Sequence, residues 1–409
     1  MQNSTSNVKA VGMVVEYNPF HNGHLYQLQQ AKKDTGADVV VAVMSSSFLQ
    51  RGEPSLLSKW SRTKMALASG VDLVLELPYA YATQKAETFA KGAISILTAA
   101  GVDYLHFGSE SGSIEEFHEL AKVMQQHEEE WDLLVKEKMS NGHSYPRAAS
   151  LAFSQLGAET TLSLEQPNNI LGYHYIKAIN DQHSSIIPYT TKRIAAGYHD
   201  RTITSHSIAS ATSIREAIFT AEEQTNLVKQ VMPPPSYAEL MNYSQTTHQL
   251  HNWEHYFPFL QYRVLSSSKD ELASIYECVE GLEYRVMDTI SKAQTFQDWM
   301  NSLKTKRYTW TRLQRLATHI LTHTTKSELN HIHTSPLPYI RPLGMNERGQ
   351  VYLRALKKKA SVPILSRFAS STDILATIEL RASRAYLAPL SREVRQRRMD
   401  EEFKAPIRF

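Results

Sequence analysis

Apolar residues in the first half of the chain come in short unbroken runs rather than in amphipathic stripes. Five of them, Val11–Val15, Ala37–Met44, Asp72–Pro78, Val102–Gly108 and Ser184–Ile194, are too short for buried helices and are predicted as strands. The segments between carry helical spacing over about Asn22–Asp34, Ser58–Ser69 and Gln84–Ala100, with a more helical stretch from Ile114 to Phe153. Gln166–Gly172 (QPNNILG) opens another helix, and Ala195–Ile218 leads into a further one. Continuous apolar strands alternating with helices predict an α/β fold, a Rossmann-like parallel sheet covered on both faces. Ligands of such sheets sit at the carboxyl ends of the strands. The loops holding His21, Phe48–Ser58, Pro78–Thr83 and Gly108–Glu110 all fall there.

The pattern changes after Met232–Pro235 (MPPP), the clearest linker signal in the chain. Beyond it helical spacing dominates, over Ser268–Val279, Gly281–Ala293, Thr311–Thr322 and Gly349–Ala360. An α/β domain over residues 1–231 and a mainly α-helical domain over 236–409 are therefore expected, as the length of 409 residues also favours. No internal repeat or low-complexity tract interrupts either.

Composition is that of an ordinary globular protein, with 42% hydrophobic and 21% charged residues and a mean hydropathy of −0.37. No apolar run approaches the ~20 residues of a membrane span. The opening MQNSTSNVKA lacks the charged-then-apolar layout of a signal peptide. A single cysteine, Cys278, excludes an internal disulfide and argues against a cysteine zinc site, so a cytoplasmic location is expected. It falls in a helical-looking run and reads as a small core residue. The net charge of +3 divides unevenly: Arg341–Phe409 holds 15 Lys/Arg and 7 Asp/Glu, leaving +8 there and −5 elsewhere. A basic C-terminal segment suits a polyanionic partner or a solvated surface equally. Nothing in the pattern calls for a membrane or an obligate protein partner.

Candidate chemistry concentrates in Val11–Leu25, VGMVVEYNPFHNGHL. A strand ends at Asn18-Pro19, and His21 and His24 then stand three apart at a helix start. They share one face, beside free backbone N–H groups and the positive end of the helix dipole, conditions that suit a polyphosphate. Histidines at a helix start also serve structure alone. A second cluster, IASATSIREA (Ile208–Ala217), crowds hydroxyls at another helix start and adds a guanidinium that grips phosphate oxygens in pairs. Ser213 and Glu216 form a capping-box pattern that needs no ligand. Ser210, Thr212 and Arg215 are not explained that way.

These two stretches resemble the paired signatures of the HxGH nucleotidyltransferase superfamily, G-[ST]-F-D-P-x-H-x-G-H and I-S-S-T-x-I-R. The first matches at Asn18-Pro19, His21, Gly23 and His24, and departs at Glu16, where Ser or Thr is usual, and at Asn18 in place of Asp. The second matches over Ser210–Arg215. Longer runs, among them FLQRGEPSLLSKWSRTKMAL, LELPYAYATQKAETFAKGA, PNNILGYHY, KRIAAGYHD, RYTWTRLQRL and RPLGMNERGQVYLRALKKK, resemble the tRNA(Met) cytidine acetate ligase family over nearly the whole chain.

The resemblance implies a HIGH-type catalytic domain that binds ATP, with Mg²⁺ on the pyrophosphate, and activates acetate as acetyl-adenylate. The acetyl group passes to N4 of the wobble cytidine of elongator tRNA(Met), giving N4-acetylcytidine. The ATP site then comprises Val14, Val15, Glu16, Tyr17, Asn18, Pro19, Phe20, His21, Asn22, Gly23, His24 and Gln27, with Gly108, Asn168 or Asn169, Arg193, Ser210, Thr212 and Arg215. His21, His24 and Arg215 are expected to stabilise charge on the phosphoryl oxygens. Glu16 is a base toward the cytidine amine or a ligand of ribose or His24. Gln50, Arg51, Lys59 and Arg62 are candidates for acetate or tRNA phosphate. Lys306, Arg307, Trp310, Arg312 and Arg315, with Lys357, Lys358 and Lys359, are candidates for RNA. No carboxylate cluster singles out a metal ligand. Two rival readings are an adenylyltransferase for a small phosphorylated metabolite and a non-catalytic RNA-binding protein.

Overall fold

The computed structural model describes residues 8–141, 143, 145–156, 162–193, 209–220, 225–368 and 373–409. Five strands run parallel, β1 (Ala10–Val15), β2 (Val39–Ser45), β3 (Leu73–Leu77), β4 (Tyr104–Ser109) and β5 (Ile187–Lys192). Each falls within a predicted apolar run or within one residue of it. Ile194, the expected end of the fifth, lies outside the described residues, as do Ala195–Ile208 and the rest of the KRIAAGYHD run.

Two more strands, β6 (Pro342–Met345) and β7 (Ile407–Arg408), extend the sheet to seven in the order β5-β4-β1-β2-β3-β6-β7. β6 pairs antiparallel to β3, and β7 parallel to β6. The sheet thus draws strands from both sides of the expected boundary at Met232–Pro235. That segment is no bare linker: Pro233 is the N-cap of a helix, Pro234–Thr247, with proline at its first turn, where its missing N–H costs nothing.

Side chains alternate across the strands. Val39, Val41 and Val43 of β2 join the core on one face, with Phe89 and Ile94 of the helix Ala86–Ala99 and Tyr175 of Pro167–Asp181. Val40, Ala42 and Met44 join the other, with Leu28 of the helix Asn22–Thr35, Met65 of Lys59–Ala68 and Leu240 of Pro234–Thr247. Gly12 lets Ala86–Ala99 lie close on β1, since a Cβ there would meet Leu97 Cδ2 at 2.5 Å. Chain crossings diverge between β1 and β4, and that switch point opens a crevice at the strands' carboxyl ends.

The C-terminal half is bound to the sheet by buried charge. Lys59 Nζ lies 2.5 Å from Glu76, 2.9 Å from Glu379 and 2.9 Å from Glu402, and Arg341 pairs with Glu76 and Glu402 at 3.1 and 3.0 Å. Burial alone would push the Lys59 ammonium down; three carboxylates outweigh it and hold the pKa above its usual value. Cys278 is buried, and burial raises its thiol to about 12, as an inert core residue requires. Among the described residues no helix is long and apolar enough to cross a membrane.

Candidate active site

A cavity of about 2070 Å³ opens at the carboxyl ends of the strands. Its wall includes Val14, Val15, Glu16, Tyr17, Asn18, His21, His24 and Gln27 from the first strand–helix unit, Gly108 from β4, Asn168, Arg193, and Ser210, Thr212 and Arg215. Five residues of the expected nucleotide set are not on it: Pro19, Phe20, Asn22, Gly23 and Asn169. Phe20 is core, and Asn22 Nδ2 donates to the Gln230 carbonyl.

His21 is the N-cap of the helix Asn22–Thr35. Its Nδ1 accepts from Gly23 N–H at 3.0 Å, and Nδ1 of His24 accepts from His21 N–H at 3.4 Å, a reciprocal capping box built from two imidazoles. Backbone N–H groups only donate, so both Nδ1 atoms are unprotonated. The rings stack at 3.8 Å between centroids, with Tyr17 edge-on to His24 at 5.0 Å. Burial, then the charges of Arg193 and Arg215, pushes His21 down to about 3; burial, then His21 and Arg193, puts His24 well below the usual range. Both rings are therefore neutral, with the proton on Nε2, and each offers one N–H to the cavity.

The expected free N–H groups at this helix start are already engaged. Asn22 N–H donates to the Val231 carbonyl at 2.9 Å, and the N–H groups of Gly23 and His24 are bonded to His21. An anion here meets side-chain donors.

Arg215 lines the same cavity as the histidines, donating to the Asn18 carbonyl at 3.1 Å and to Glu53 at 2.8 Å. The helix Ala211–Thr220 is capped by Ser210, whose Oγ accepts from Ser213 N–H at 3.0 Å, so the Ser213–Glu216 capping box gives way to a cap three residues earlier. Asn169 is not the N-cap of its helix; Gln166 is. The Asn169 side chain is committed to the N–H groups of Glu110 and Ser111 and to the Ser163 carbonyl, and only Asn168 reaches the cavity wall.

Glu16 is half-buried, accepts from Gln50 N–H at 2.9 Å, and is raised above the usual carboxyl range by desolvation. Gln50 and Arg51 line the cavity. Lys59 and Arg62 do not, because both side chains point into the protein. Lys59 sits in the charge network above. Arg62 donates to the main-chain carbonyls of Leu57, Glu16 and Ser46.

The far wall comes from the C-terminal half. A hairpin turn at Leu49–Glu53 docks on the helix Trp310–Leu321: Gln314 donates to the Arg51 carbonyl at 3.0 Å, and Thr318 and Trp253 to that of Gly52 at 2.7 and 3.1 Å. Arg307, Trp310, Arg312 and Arg315 line this side, Arg315 paired with Glu277 and Arg307 with Glu280. Lys306 is exposed and off the wall. Lys357, Lys358 and Lys359 follow the helix Glu347–Leu356, whose Tyr352 bonds the Ala100 and Gly101 carbonyls at the amino end of β4. They stand at the opposite end of the sheet from the cavity. Glu53, the partner of Arg215, was not among the expected site residues; its only signal is an acid two residues after Arg51 in a loop with no other charge.

Buried neutral histidines set a pH limit. Burial pushes His21 to about 3, His174 to about 4 and His251 to about 3, all below an unfolded value near 6.5. The native state binds fewer protons, so this stability is whole above pH ~6.5 and is lost as pH falls toward 3, by about 1.4 kcal/mol per group per pH unit. Calorimetry should show Tm falling steadily below pH ~6.5; a flat Tm from there to pH ~5 would contradict these neutral histidines.

A switch-point crevice lined by imidazole and guanidinium donors is the arrangement of an α/β nucleotidyltransferase. The HIGH Nucleotidyl Transferase family model matches residues 8–402. The tRNA(Met) cytidine acetate ligases of Halalkalibacterium halodurans and Bacillus subtilis are 52% and 47% identical, each over 98% of both chains. The chain belongs to the tRNA(Met) cytidine acetate ligase family. Crystal structures of Thermotoga maritima TmcAL superpose with TM-scores of 0.90 for the apo form and 0.88 for the form bound with alpha-thio ATP. They are 33% and 32% identical and cover 98% of this chain and 99% and 100% of their own.

Proposed function

We propose that the protein joins acetate to the wobble cytidine of elongator tRNA(Met) at the expense of ATP. In the first step an acetate oxygen attacks the α-phosphorus, the bond to the bridging oxygen breaks, and pyrophosphate leaves. In the second, the cytidine N4 amine attacks the acetyl carbonyl, AMP departs, and N4-acetylcytidine forms. The pairing of His21 and His24 with Arg215 across one cavity carries this reading. Neutral imidazoles suit it, since each donates a fixed Nε2–H to a phosphoryl oxygen without giving up a proton. Mg²⁺ would arrive on the triphosphate as part of the substrate, a cation that needs few protein ligands.

Glu16, close to Gln50 and raised by desolvation, would accept the proton that the N4 amine loses. Arg307, Arg312 and Arg315 beside Trp310 offer the RNA phosphate contacts and a stacking face at the mouth of the same cavity. Exchange of labelled pyrophosphate into ATP tests the first step without RNA. Exchange that requires acetate is expected. Exchange with a phosphorylated metabolite instead, or with no partner at all, would contradict the proposal.

A further inference from the structure

Two nitrogens of the Arg215 guanidinium are held by groups of the protein itself. Nη1 donates to the Asn18 carbonyl at 3.1 Å, and Nη2 donates to Glu53 Oε2 at 2.8 Å. Both members of the ion pair line the cavity, with side-chain exposures of 19% for Arg215 and 36% for Glu53. A pair this open to solvent adds little to stability. Its geometry does more, because bonds to two nitrogens of one planar group fix its plane as well as its position. The other N–H groups of the fork stay available to phosphate oxygens.

Glu53 can hold the fork because the hairpin that carries it is fastened on three sides. At its base Phe48 pairs with Pro54, and Leu49 N–H donates to the Glu53 carbonyl at 2.9 Å. Toward the histidine loop, Gln50 N–H donates to Glu16 at 2.9 Å and Leu56 N–H to Asn18 Oδ1 at 2.6 Å. Toward the C-terminal half, the Arg51 and Gly52 carbonyls accept from Gln314, Thr318 and Trp253. Asn18 thus joins both ends of a clamp, its side chain holding the hairpin strand and its carbonyl holding Arg215. Without that clamp Arg215 is a long side chain free to change rotamer.

We propose that Glu53 is a positioning residue for adenylate formation. It acts through Arg215, aiming the guanidinium at the phosphoryl oxygens, and makes no contact with substrate itself. A carboxylate repels a triphosphate, so Glu53 is unsuited to hold ATP directly. This role rests on the acetate ligase reading, in which Arg215 stabilises phosphoryl charge, and adds the residue that orients it.

The test is acetate-dependent pyrophosphate exchange in the full-length protein, with ATP titrated, for Glu53→Ala, Glu53→Gln, Arg215→Ala and the double variant Glu53→Ala/Arg215→Ala. Glu53→Ala is expected to lower kcat roughly 10- to 100-fold, the cost of a misaimed donor. Its KM for ATP should hold or fall, because Arg215 no longer has a carboxylate competing for it. Glu53→Gln keeps an oxygen that accepts from Nη2 and should recover most of the lost rate. In the Arg215→Ala background, Glu53→Ala should remove nothing further, since its effect runs through Arg215. Near-normal kcat in Glu53→Ala, Glu53→Gln as slow as Glu53→Ala, or a further loss in the Arg215→Ala background would overturn the assignment while leaving the wild-type reaction intact. Wild-type exchange that ignores acetate would instead remove the proposed function, and this role with it.

Discussion

His24→Ala is expected to lower acetate-dependent pyrophosphate exchange by roughly 10²- to 10³-fold, the cost of one donor to a transition-state oxygen. The ring carries that donor because its Nδ1 is spent on His21 N–H, leaving Nε2–H for the cavity. The substitution also removes the stacking partner of His21, so His21 loses orientation as well as a neighbour. Its effect should fall on kcat more than on ATP binding, since Arg215 and the rest of the wall remain. Steady-state exchange with an ATP titration checks this. A variant that keeps near-normal kcat would show that the imidazole pair serves the helix cap and not the chemistry.

Gly52→Ala should destabilise the join between the two halves of the chain. Gly52 has φ +81°, and a Cβ there would lie 2.6 Å from the carbonyl of Gln314 and the nitrogen of Arg315. Backbone atoms cannot swing aside as a side chain does. The strained φ and the overpacking together are expected to cost about 3 kcal/mol, lowering Tm by roughly 3 to 4 °C. Because the contact holds Arg51 against the helix that carries Arg312 and Arg315, acetyl transfer to RNA should fall further than exchange does. Calorimetry and the two assays side by side measure both effects. An unchanged Tm would mean that the hairpin and the helix are not pressed together in solution.

Local pattern made much of the site legible. A strand, a broken turn and two histidines lie within fifteen residues, so the sequence itself places the imidazoles at a strand's carboxyl end. What it could not convey was direction and distance. Lys59 and Arg62 read as candidates for acetate or tRNA phosphate, yet both turn inward: Glu76, Glu379 and Glu402 converge on Lys59 from far along the chain, and main-chain carbonyls of Leu57, Glu16 and Ser46 take the Arg62 donors. No local spacing encodes that meeting. Pro342–Met345 has neither the length nor the alternation of a strand and is one only because β3 offers it an open edge. The prolines at 233–235 fit a linker and a helix start equally, and packing on Lys59–Ala68 decides for the helix.

The fate of the acetate oxygens decides the chemistry. With acetate labelled by ¹⁸O, ATP and elongator tRNA(Met), attack on the α-phosphorus leaves one labelled oxygen on each AMP released as N4-acetylcytidine forms, and mass spectrometry of that AMP should find it. AMP free of label, or label in the pyrophosphate, would mean that acetate never displaces pyrophosphate at this site.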